Sequence, residues 1–332
     1  MAILEAMAGA AAGTLSEEYQ LLLEDCGLLD RSERGKLALT GAEAIEFLNG
    51  QVTNELAGLA PGEGCYAAFL THKGKMLGDL RVLAVAAPGS GGTELLLDTE
   101  RPALQELFDM IRRFKVGYGV ELHKRTVERG LLSLIGPRAA ELAGSDPGPE
   151  EHANAPIVLD GIGALAIRTD VGIDLLVPAE ETAALTAALR ARGATPVAEA
   201  AAECLRVEAG RPRYGLDLDD SVIPQEAGLN ERAVSFTKGC YVGQETVARL
   251  FYRGKPNRHL RGLILSAPAE TGAELKLGER VVGRVGSFAH SPRLGPIALA
   301  LVRREAAPGA QLAVGTGATR AEVLELPFRP AR

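Results

Sequence analysis

The sequence contains no tryptophan, eight phenylalanines and six tyrosines, so aromatic residues make up only 4% of its 332 residues. Proteins that hold single-stranded nucleic acid by base stacking need exposed rings, and this chain offers few. It also lacks an excess of basic residues, because the net charge is −7 and the pI lies near 5.5. Phosphate neutralisation requires a basic face, so the overall acidity argues against a general nucleic-acid-binding role.

Cysteine is also sparse. The four cysteines lie far apart and form no Cys-x-x-Cys pair: Cys26, Cys65, Cys204 and Cys240. This spacing is poor for a zinc site or a resident iron–sulfur cluster and too sparse for a disulfide framework. None of the five histidines has a partner at metal-ligand spacing. The sequence therefore predicts no metal site and a reducing, cytoplasmic location.

Several familiar patterns are missing. No run of eighteen apolar residues predicts a membrane span, and the N-terminal segment has no basic leader, so we expect neither a membrane partner nor a secretory signal. No Gly-x-Gly-x-x-Gly follows a strand, and no Gly-x-Ser-x-Gly or phosphate loop occurs. What remains is 46% hydrophobic and 24% charged, as in an ordinary globular protein. Its length predicts two or three domains.

Strand and helix signals alternate irregularly and include hairpin-like pairs, which favours α+β layers over a doubly wound parallel sheet. Capping boxes at 14–17 and 40–43 predict two helix starts. Strands are predicted over 65–70 and 76–85, on either side of a turn. After Pro256, short segments separated by Gly and Pro turns predict a small β-barrel with strands over 259–265, 280–288, 297–302 and 319–326.

The stretch 238–245, which reads KGCYVGQE, concentrates reactive and conformationally unusual residues. Gly239 and Gly243 allow a sharp turn and a close approach to a ligand or another strand. If the chain is extended here, Lys238 and Cys240 point to the same side, and a nearby ammonium favours the reactive thiolate. The alternative is a plain glycine-rich turn that holds a buried thiol. Exposure of the sulfur decides between the two.

This octapeptide resembles the signature of the YgfZ family of folate-binding proteins. The resemblance continues over 205–217 (LRVEAGRPRYGLD) and 223–230 (IPQEAGLN), which are similar to the centre of the wider aminomethyltransferase-like superfamily. Near the N-terminus, 50–55 (GQVTNE) and 73–80 (KGKMLGDL) resemble it too. These blocks span most of the first 250 residues in the family's order.

The resemblance implies a fold and a role. The fold would be α+β, with two interlocked α+β subdomains around a central folate channel in residues 1–255 and a C-terminal antiparallel β-barrel in 256–332. The protein would bind tetrahydrofolate or a folate derivative. It would support iron–sulfur cluster assembly or repair, including in enzymes that modify tRNA, so its partners would be iron–sulfur client proteins or the assembly machinery.

Two acidic residues are candidate folate contacts. The resemblance implies that Glu208 binds the pterin, because a carboxylate can accept bonds from a ring N–H and an exocyclic amine together. The alternative is a surface helix carboxylate paired with Arg206. In aminomethyltransferases an acid pair supports chemistry at the folate nitrogens, and here the matching pair reads Gly78-Asp79. One acid is missing, which weighs against the transferase reaction; otherwise Asp79 is a polar residue on a strand's outer face.

Asn54 could donate to and accept from the cofactor, or it could cap the following turn, which is a common role of asparagine. The remaining cofactor-binding candidates are Arg206, Tyr241, Gln244 and Arg253. The run from Arg249 to Arg261 holds five Lys or Arg and no acid. It could bind the anionic glutamyl tail of folate, or RNA, or a protein, and the alternative is a solvated linker into the barrel.

Three functions remain open. The first is the folate-binding iron–sulfur accessory factor, in which Lys238 tunes the reactive thiol of Cys240. The second is a folate-dependent aminomethyltransferase similar to the glycine-cleavage T-protein. The third is an adaptor that binds RNA or a protein through the basic run and needs no folate. The sequence does not decide whether the protein is an enzyme.

Overall fold

The computed structural model describes residues 2–87 and 92–328, without the side chains of 2–12. The chain divides into two compact units. The sheet unit comprises Leu21–Val197 and Asn230–Thr246, and the barrel unit comprises Met1–Gln20, Ala198–Leu229 and Val247–Arg332.

In the described residues of the sheet unit, eleven strands form two sheets. In chain order the strands are β1 (Gly27–Asp30), β2 (Gly35–Thr40), β3 (Gly64–Leu70), β4 (Met76–Ala86), β5 (Thr93–Thr99), β6 (Glu121–Lys124), β7 (Arg129–Ile135), β8 (Asn154–Leu159), β9 (Ile162–Arg168), β10 (Gly172–Pro178) and β11 (Thr195–Pro196). One sheet has the order β3-β4-β5-β2-β6 and the other β11-β1-β7-β10-β9-β8. Neighbouring strands are antiparallel, apart from the parallel pair of β1 and β11.

The helices connect or cover these strands. They are α1 (Ala2–Glu24), α2 (Ala44–Asn49), α3 (Leu104–Phe114), α4 (Ala139–Ala143), α5 (Thr182–Ala191), α6 (Glu199–Glu208), α7 (Asn230–Ala233) and α8 (Gln244–Arg253), with short 3-10 turns at Arg101–Ala103 and Ala179–Glu181. Among the described residues, no helix combines the length and apolar character needed to cross a membrane.

The two sheets of the sheet unit pack against each other through an apolar cluster and buried ion pairs. Leu83 of β4 belongs to a buried cluster with Leu131 and Leu176 of the other sheet. Nearby, the Arg81 guanidinium bonds Asp98 of β5 and Asp174 of β10, with its Nη1 2.6 Å from Asp174 Oδ2. Each buried leucine contributes about 1.5–3 kcal/mol to stability. This packing makes β4 a rigid support for the residues that it carries.

In the barrel unit, six described strands close into an antiparallel barrel. They are β12 (Arg258–Leu265), β13 (Glu274–Leu277), β14 (Arg280–Ser291), β15 (Gly295–Arg303), β16 (Gln311–Val314) and β17 (Arg320–Leu324), in the spatial order β12-β15-β14-β13-β16-β17. Small and branched apolar side chains fill the interior, including Leu263, Leu275, Val302 and Leu312. Closure leaves no exposed sheet edge, so the barrel needs no partner strand.

The predicted α+β class with a C-terminal antiparallel barrel is confirmed. The strands predicted over 65–70 and 76–85 coincide with β3 and β4, and the four predicted barrel strands coincide with β12, β14, β15 and β17. The short β13 and β16 were not predicted. The central folate channel and the division at residue 255 remain predictions.

Both predicted capping boxes are wrong as helix starts. The helix α1 begins at Ala2 and continues through Thr14, because the preceding alanine-rich sequence is itself helix-forming. Thr40 ends β2, and its hydroxyl lies 2.9 Å from His123 Nε2 on the neighbouring strand β6. The helix α2 therefore starts at Ala44 without a side-chain cap bond.

Candidate functional site

Asp79 is a buried acid in the middle of β4, where it lies opposite Ala68 of β3. Only 5% of the residue is exposed, so the alternative of a polar residue on a strand's outer face is wrong, and the folate contact of Asp79 remains a prediction. Tyr66, two residues before Ala68, lies on the same face of the sheet. Its hydroxyl donates to Asp79 Oδ2 at 2.7 Å. Tyr66 carries no local sequence signal, because its pairing with Asp79 depends on the register between the two strands.

Burial raises the pKa of Asp79 to about 6, although the hydrogen bond from Tyr66 partly opposes this shift. The pKa of Tyr66 lies well above its usual range, first because of burial and then because of the Asp79 charge. Tyr66 thus remains a hydrogen-bond donor at neutral pH. Asp79 can take up and release a proton close to physiological pH, which is the property required of a general acid or base.

At Gly78, where the second acid of the family's pair is missing, neighbouring side chains occupy the space that an acid would need. A Cβ added to Gly78 would lie 2.5 Å from Ala103 Cβ and 2.6 Å from the Phe69 ring. Such distances are far inside van der Waals contact, so an aspartate cannot be introduced there without moving the ring and the helix start. The absence of a second acid is therefore built into the packing around β4.

Asn54 lies close to Tyr66 but uses its amide internally. Its Nδ2 donates to the carbonyl oxygens of Tyr66 at 2.8 Å and Arg232 at 3.2 Å, while its Oδ1 accepts from Glu55 N at 2.9 Å. This geometry favours the turn-capping alternative. Arg232 also stacks over the Tyr66 ring, with Cζ 4.9 Å from the centroid, so the surroundings of Tyr66 are well fixed. The predicted cofactor contact of Asn54 remains a prediction.

The cation and the thiol of the octapeptide differ in exposure. Cys240 is exposed and carries a free thiol, as the reactive alternative requires. Lys238, in contrast, is only 7% exposed and lies in a bend, not in an extended segment. The extended segment on which the same-side geometry depended is therefore not present at Lys238. The catalytic roles of the two residues remain predictions.

The Lys238 ammonium is bound to the loop after α2. Its Nζ donates to Asn49 O at 2.7 Å, Asn49 Oδ1 at 2.9 Å, Val52 O at 2.9 Å and Asn54 O at 2.5 Å. Burial lowers its pKa to about 8. Burial raises the pKa of the nearby Cys65 thiol to about 12, and the Lys238 charge opposes this shift only in part. Lys238 thus anchors the octapeptide to the sheet unit.

One of the two glycines in the octapeptide is required by the fold. Gly243 has φ of +84°, and a Cβ there would lie 2.5 Å from Thr71 O in the turn between β3 and β4. Gly239 has open space around the position of a Cβ. The remaining candidates of this stretch, Tyr241 and Gln244, are buried and half-buried at the start of α8. Burial raises the pKa of Tyr241 to about 12, and the cofactor roles of both residues remain predictions.

Glu208 ends α6 in the barrel unit and is only 1% exposed. The Tyr19 hydroxyl lies 2.9 Å from both carboxylate oxygens, and the Ser291 hydroxyl donates to Oε1 at 2.5 Å. Burial raises the pKa of Glu208, whereas Ser291 and the Arg293 guanidinium favour its charged form. The alternative of an exposed carboxylate paired with Arg206 is therefore wrong.

Arg206 belongs to a different network of the barrel unit. Its guanidinium bonds Glu203 at 2.7 Å, Asp217 at 3.1 Å and Ser287 at 2.5 Å. These contacts hold α6 against β14. The predicted cofactor contact of Arg206 remains a prediction. The sequence missed Tyr19 and Ser291, because they are 189 and 83 residues away from Glu208 along the chain.

Two of the five Lys or Arg residues in the basic run form ion pairs within the protein. Arg258 forms a two-pronged ion pair with Glu226, at 3.1 and 2.8 Å, and Arg261 bonds Glu325 at 2.8 Å. The other three cations of the run are exposed and have no ion pair within the described part of the chain: Arg249, Arg253 and Lys255. The described residues also contain no cluster of acidic, histidine or cysteine side chains suited to a metal ion.

The fold and the site define an α+β protein with a C-terminal barrel and a buried acid that is hydrogen-bonded to a tyrosine. The family described as GCVT N-terminal domain matches residues 8–238, and the one described as glycine cleavage T-protein C-terminal barrel domain matches residues 258–329. The chain therefore belongs to the aminomethyltransferase-like GCVT family.

Individual relatives support this family membership. The aminomethyltransferase of Streptomyces coelicolor is 31% identical, over 95% of this chain and 90% of that protein. The aminomethyltransferase of Thermotoga maritima is 30% identical, over 95% and 89%. The crystal structure of glycine cleavage system aminomethyltransferase T from Bartonella henselae is 25% identical, with a TM-score of 0.83 over 96% of this chain and 90% of that chain. These matches support the superfamily and leave the YgfZ assignment a prediction.

Proposed function

We propose that the protein binds tetrahydrofolate and transfers a one-carbon unit to it from an aminomethyl donor. The observation that carries this proposal is the buried Asp79–Tyr66 pair, in which the acid has a pKa of about 6. Membership of the GCVT family and similarity to proteins named aminomethyltransferase support it. The acid stands alone because Gly78 is closely packed, so a single carboxyl would serve the proton transfers.

When bound, tetrahydrofolate supplies two nitrogens that take up the methylene group. The transfer breaks the C–S and C–N bonds of a thioether-linked aminomethyl donor and releases a thiol and ammonia, so two protons must leave the folate nitrogens. Asp79 would accept a proton and return it to a departing group, and its pKa suits both directions at neutral pH. Tyr66 would hold the carboxyl in one orientation by its 2.7 Å bond.

The direct test is product formation. Incubation of the purified protein with tetrahydrofolate and an aminomethyl-loaded carrier protein should yield methylene-tetrahydrofolate and free ammonia in equal amounts. Heat-denatured protein is the control for spontaneous transfer. Absence of both products, with folate binding intact, would contradict the transferase function while leaving the folate site in place.

Glu208, in the barrel unit, is the proposed pterin contact. Its two oxygens accept bonds from hydroxyl donors, and this acceptor character supports a role toward a ligand that presents N–H groups. Glu208→Gln replaces one acceptor oxygen by a donor, so we expect tetrahydrofolate binding to weaken at least about tenfold. Calorimetric titration measures this. The exposed helical residue Glu106 offers the control Glu106→Gln, which should bind normally.

A second candidate function is the thiol-dependent iron–sulfur accessory role. The exposed free thiol of Cys240 favours it, as does the close packing that excludes a second acid at Gly78. In this role Cys240→Ala should lose at least about 80% of the iron–sulfur enzyme activity that the wild-type gene restores to a deletion strain. Full rescue by Cys240→Ala would remove the thiol from the mechanism. A cytoplasmic location and the client proteins remain predictions.

A further inference from the structure

A guanidinium lies on the ring of Tyr66, the tyrosine that donates to Asp79. Arg232 Cζ is 4.9 Å from the ring centroid, within the distance at which the face of an aromatic ring attracts a cation. The hydroxyl of the same ring donates to Asp79 Oδ2 at 2.7 Å. Arg232 is therefore in direct contact with the hydrogen-bond donor of the Asp79–Tyr66 pair.

The backbone that carries Arg232 is tied to β3 by two neighbouring side chains. The Asn54 amide donates to the carbonyl oxygens of both Tyr66 and Arg232, at 2.8 and 3.2 Å. Beside it, the Thr53 hydroxyl donates to the carbonyl oxygen of the next residue of α7 and accepts from Ala68 N at 2.9 Å. Ala68 is the residue of β3 that lies opposite the buried acid. These bonds hold α7, and with it the guanidinium, in a fixed place over the Tyr66 ring.

The Arg232 guanidinium is also paired with Glu151, to which its Nη2 donates at 2.6 Å. Of the two side chains, 30% and 32% are exposed, so solvent screens this ion pair only in part. Asp170 also acts electrostatically on both members of the pair. His152 is neutral at physiological pH, because burial lowers its pKa to about 3. The charge that reaches Tyr66 thus depends on Arg232 and on the acids that offset it.

We propose that Arg232 is a positioning residue for the Asp79–Tyr66 pair, because its guanidinium orients the phenol and strengthens the hydrogen bond that the phenol donates. A cation at the ring face favours loss of the phenol proton, so it makes the hydroxyl a better donor and favours the charged form of the acid. In agreement, the Arg232 charge lowers the pKa of Tyr66 against the effect of burial. Glu151 offsets part of this charge. The consequence for one-carbon transfer rests on the proposed function.

Further charges act on Asp79 from β5, from the residue after it and from the turn between β1 and β2, and they include Asp98, Glu100 and Arg34. Arg34 bonds Asp98 at 2.9 Å and also pairs with Glu100. Substitutions at Arg232 and Glu151 leave these groups unchanged. Opposite effects of the two substitutions on Asp79 therefore report the ion pair beside Tyr66.

The test is the pH titration of the Asp79 carboxyl, followed by carbon NMR of aspartate-labelled protein and assigned with the spectrum of Asp79→Asn. Arg232→Met removes the cation and leaves Glu151, so the titration midpoint of Asp79 should rise by about 0.5–1 pH unit. Glu151→Gln keeps an acceptor oxygen for Arg232 but removes the opposing charge, so the midpoint should fall by about 0.5 pH unit. Arg232→Lys keeps the cation and should stay within about 0.3 pH unit of the wild type.

Arg112 of α3 offers a matched control, because it has the same two kinds of contact. It pairs with Asp109 at 3.2 Å, and its Cζ lies 5.9 Å from the centroid of the Phe108 ring, but its side chain is 68% exposed. Arg112→Met should leave the titration of Asp79 unchanged. Thermal unfolding of each variant checks that it is folded.

In the transfer assay, the acidic limb of the pH profile of kcat should move with the NMR midpoint. Midpoints that stay in place, or that move in the same direction in Arg232→Met and Glu151→Gln, would overturn the role of Arg232. If Arg232→Met folds poorly, the lowered midpoint of Glu151→Gln and the retained midpoint of Arg232→Lys decide the question. Opposite NMR shifts in a protein that forms no methylene-tetrahydrofolate would support the role of the ion pair and contradict the proposed transferase function.

Discussion

Replacement of Asp79 by asparagine should lower the rate of one-carbon transfer by about 100-fold or more, since a positioned general acid or base contributes roughly 10²–10⁴-fold. The amide can still accept the hydrogen bond from Tyr66, so the geometry of the site is preserved while its proton is lost. Steady-state formation of methylene-tetrahydrofolate measures kcat, and titration with tetrahydrofolate measures binding. A variant with unchanged kcat would show that Asp79 does not exchange the proton.

The same change should stabilise the protein at neutral pH. The folded-state pKa of Asp79 is raised from 3.8 to about 6, so the folded state binds more protons than the unfolded state between these values. The free energy of unfolding of the wild type must then fall as pH rises from about 4 to about 6. Asp79→Asn removes this loss. The free energy of unfolding of the variant should therefore exceed that of the wild type by on the order of 1–3 kcal/mol at pH 7.5 but by little at pH 4.

A second buried aspartate provides the matched control. Burial alone would raise the pKa of Asp98, but the Arg34 and Arg81 guanidiniums outweigh it and lower the pKa to about 2. Asp98→Asn should therefore destabilise the protein by about 3–5 kcal/mol, because the two buried guanidiniums each lose one of their carboxylate partners. Urea denaturation of both variants at pH 4.5 and 7.5 should give shifts of opposite sign. Shifts of the same sign would contradict the assigned pKa directions.

Lys238→Met should destabilise the protein by about 3–5 kcal/mol, since it removes the buried donor shared by four oxygens. Those oxygens belong to Asn49, Val52 and Asn54. Of these, Asn49 Oδ1 keeps the backbone N–H of Leu56 as a donor, at 2.8 Å. Methionine preserves the length and volume of the side chain, so the loss reports the hydrogen bonds. Thermal unfolding measures it, and the exposed Lys73 supplies the control Lys73→Met, which should change little.

The reactivity of Cys240 separates the anchoring role of Lys238 from an activating one. Alkylation by iodoacetamide at low temperature, where Lys238→Met is still folded, should proceed within about twofold of the wild-type rate. An activating ammonium would have depressed the thiol pKa, so its removal would slow alkylation about tenfold or more. A large decrease would restore the cation–thiol pair that the sequence pattern suggested.

Local pattern predicted the strands well. Alternating apolar and polar residues, bounded by turn residues, located β3, β4 and four barrel strands. This works because successive side chains of a β-strand point to opposite faces of the sheet. It failed for β13 and β16, whose four residues are too few to show a period. It also failed at 14–17, where a capping box lies inside the longer helix α1, since the residues before it continue the helix.

Patterns along the chain were sufficient to predict the α+β class, the C-terminal barrel, the superfamily and the candidate residues Asp79, Glu208 and Cys240. The surroundings of these residues, which limit what each group can do, depend on long-range packing. In the tertiary structure, the register between β3 and β4 brings Tyr66 to the buried Asp79. Tyr19, 189 residues before Glu208 in the chain, hydrogen-bonds the Glu208 carboxylate. Lys238 is buried, and its ammonium donates to oxygens of Asn49, Val52 and Asn54. Burial and long-range partners set the pKa and the reactivity of a side chain, and the neighbouring residues in the sequence do not specify either of these surroundings.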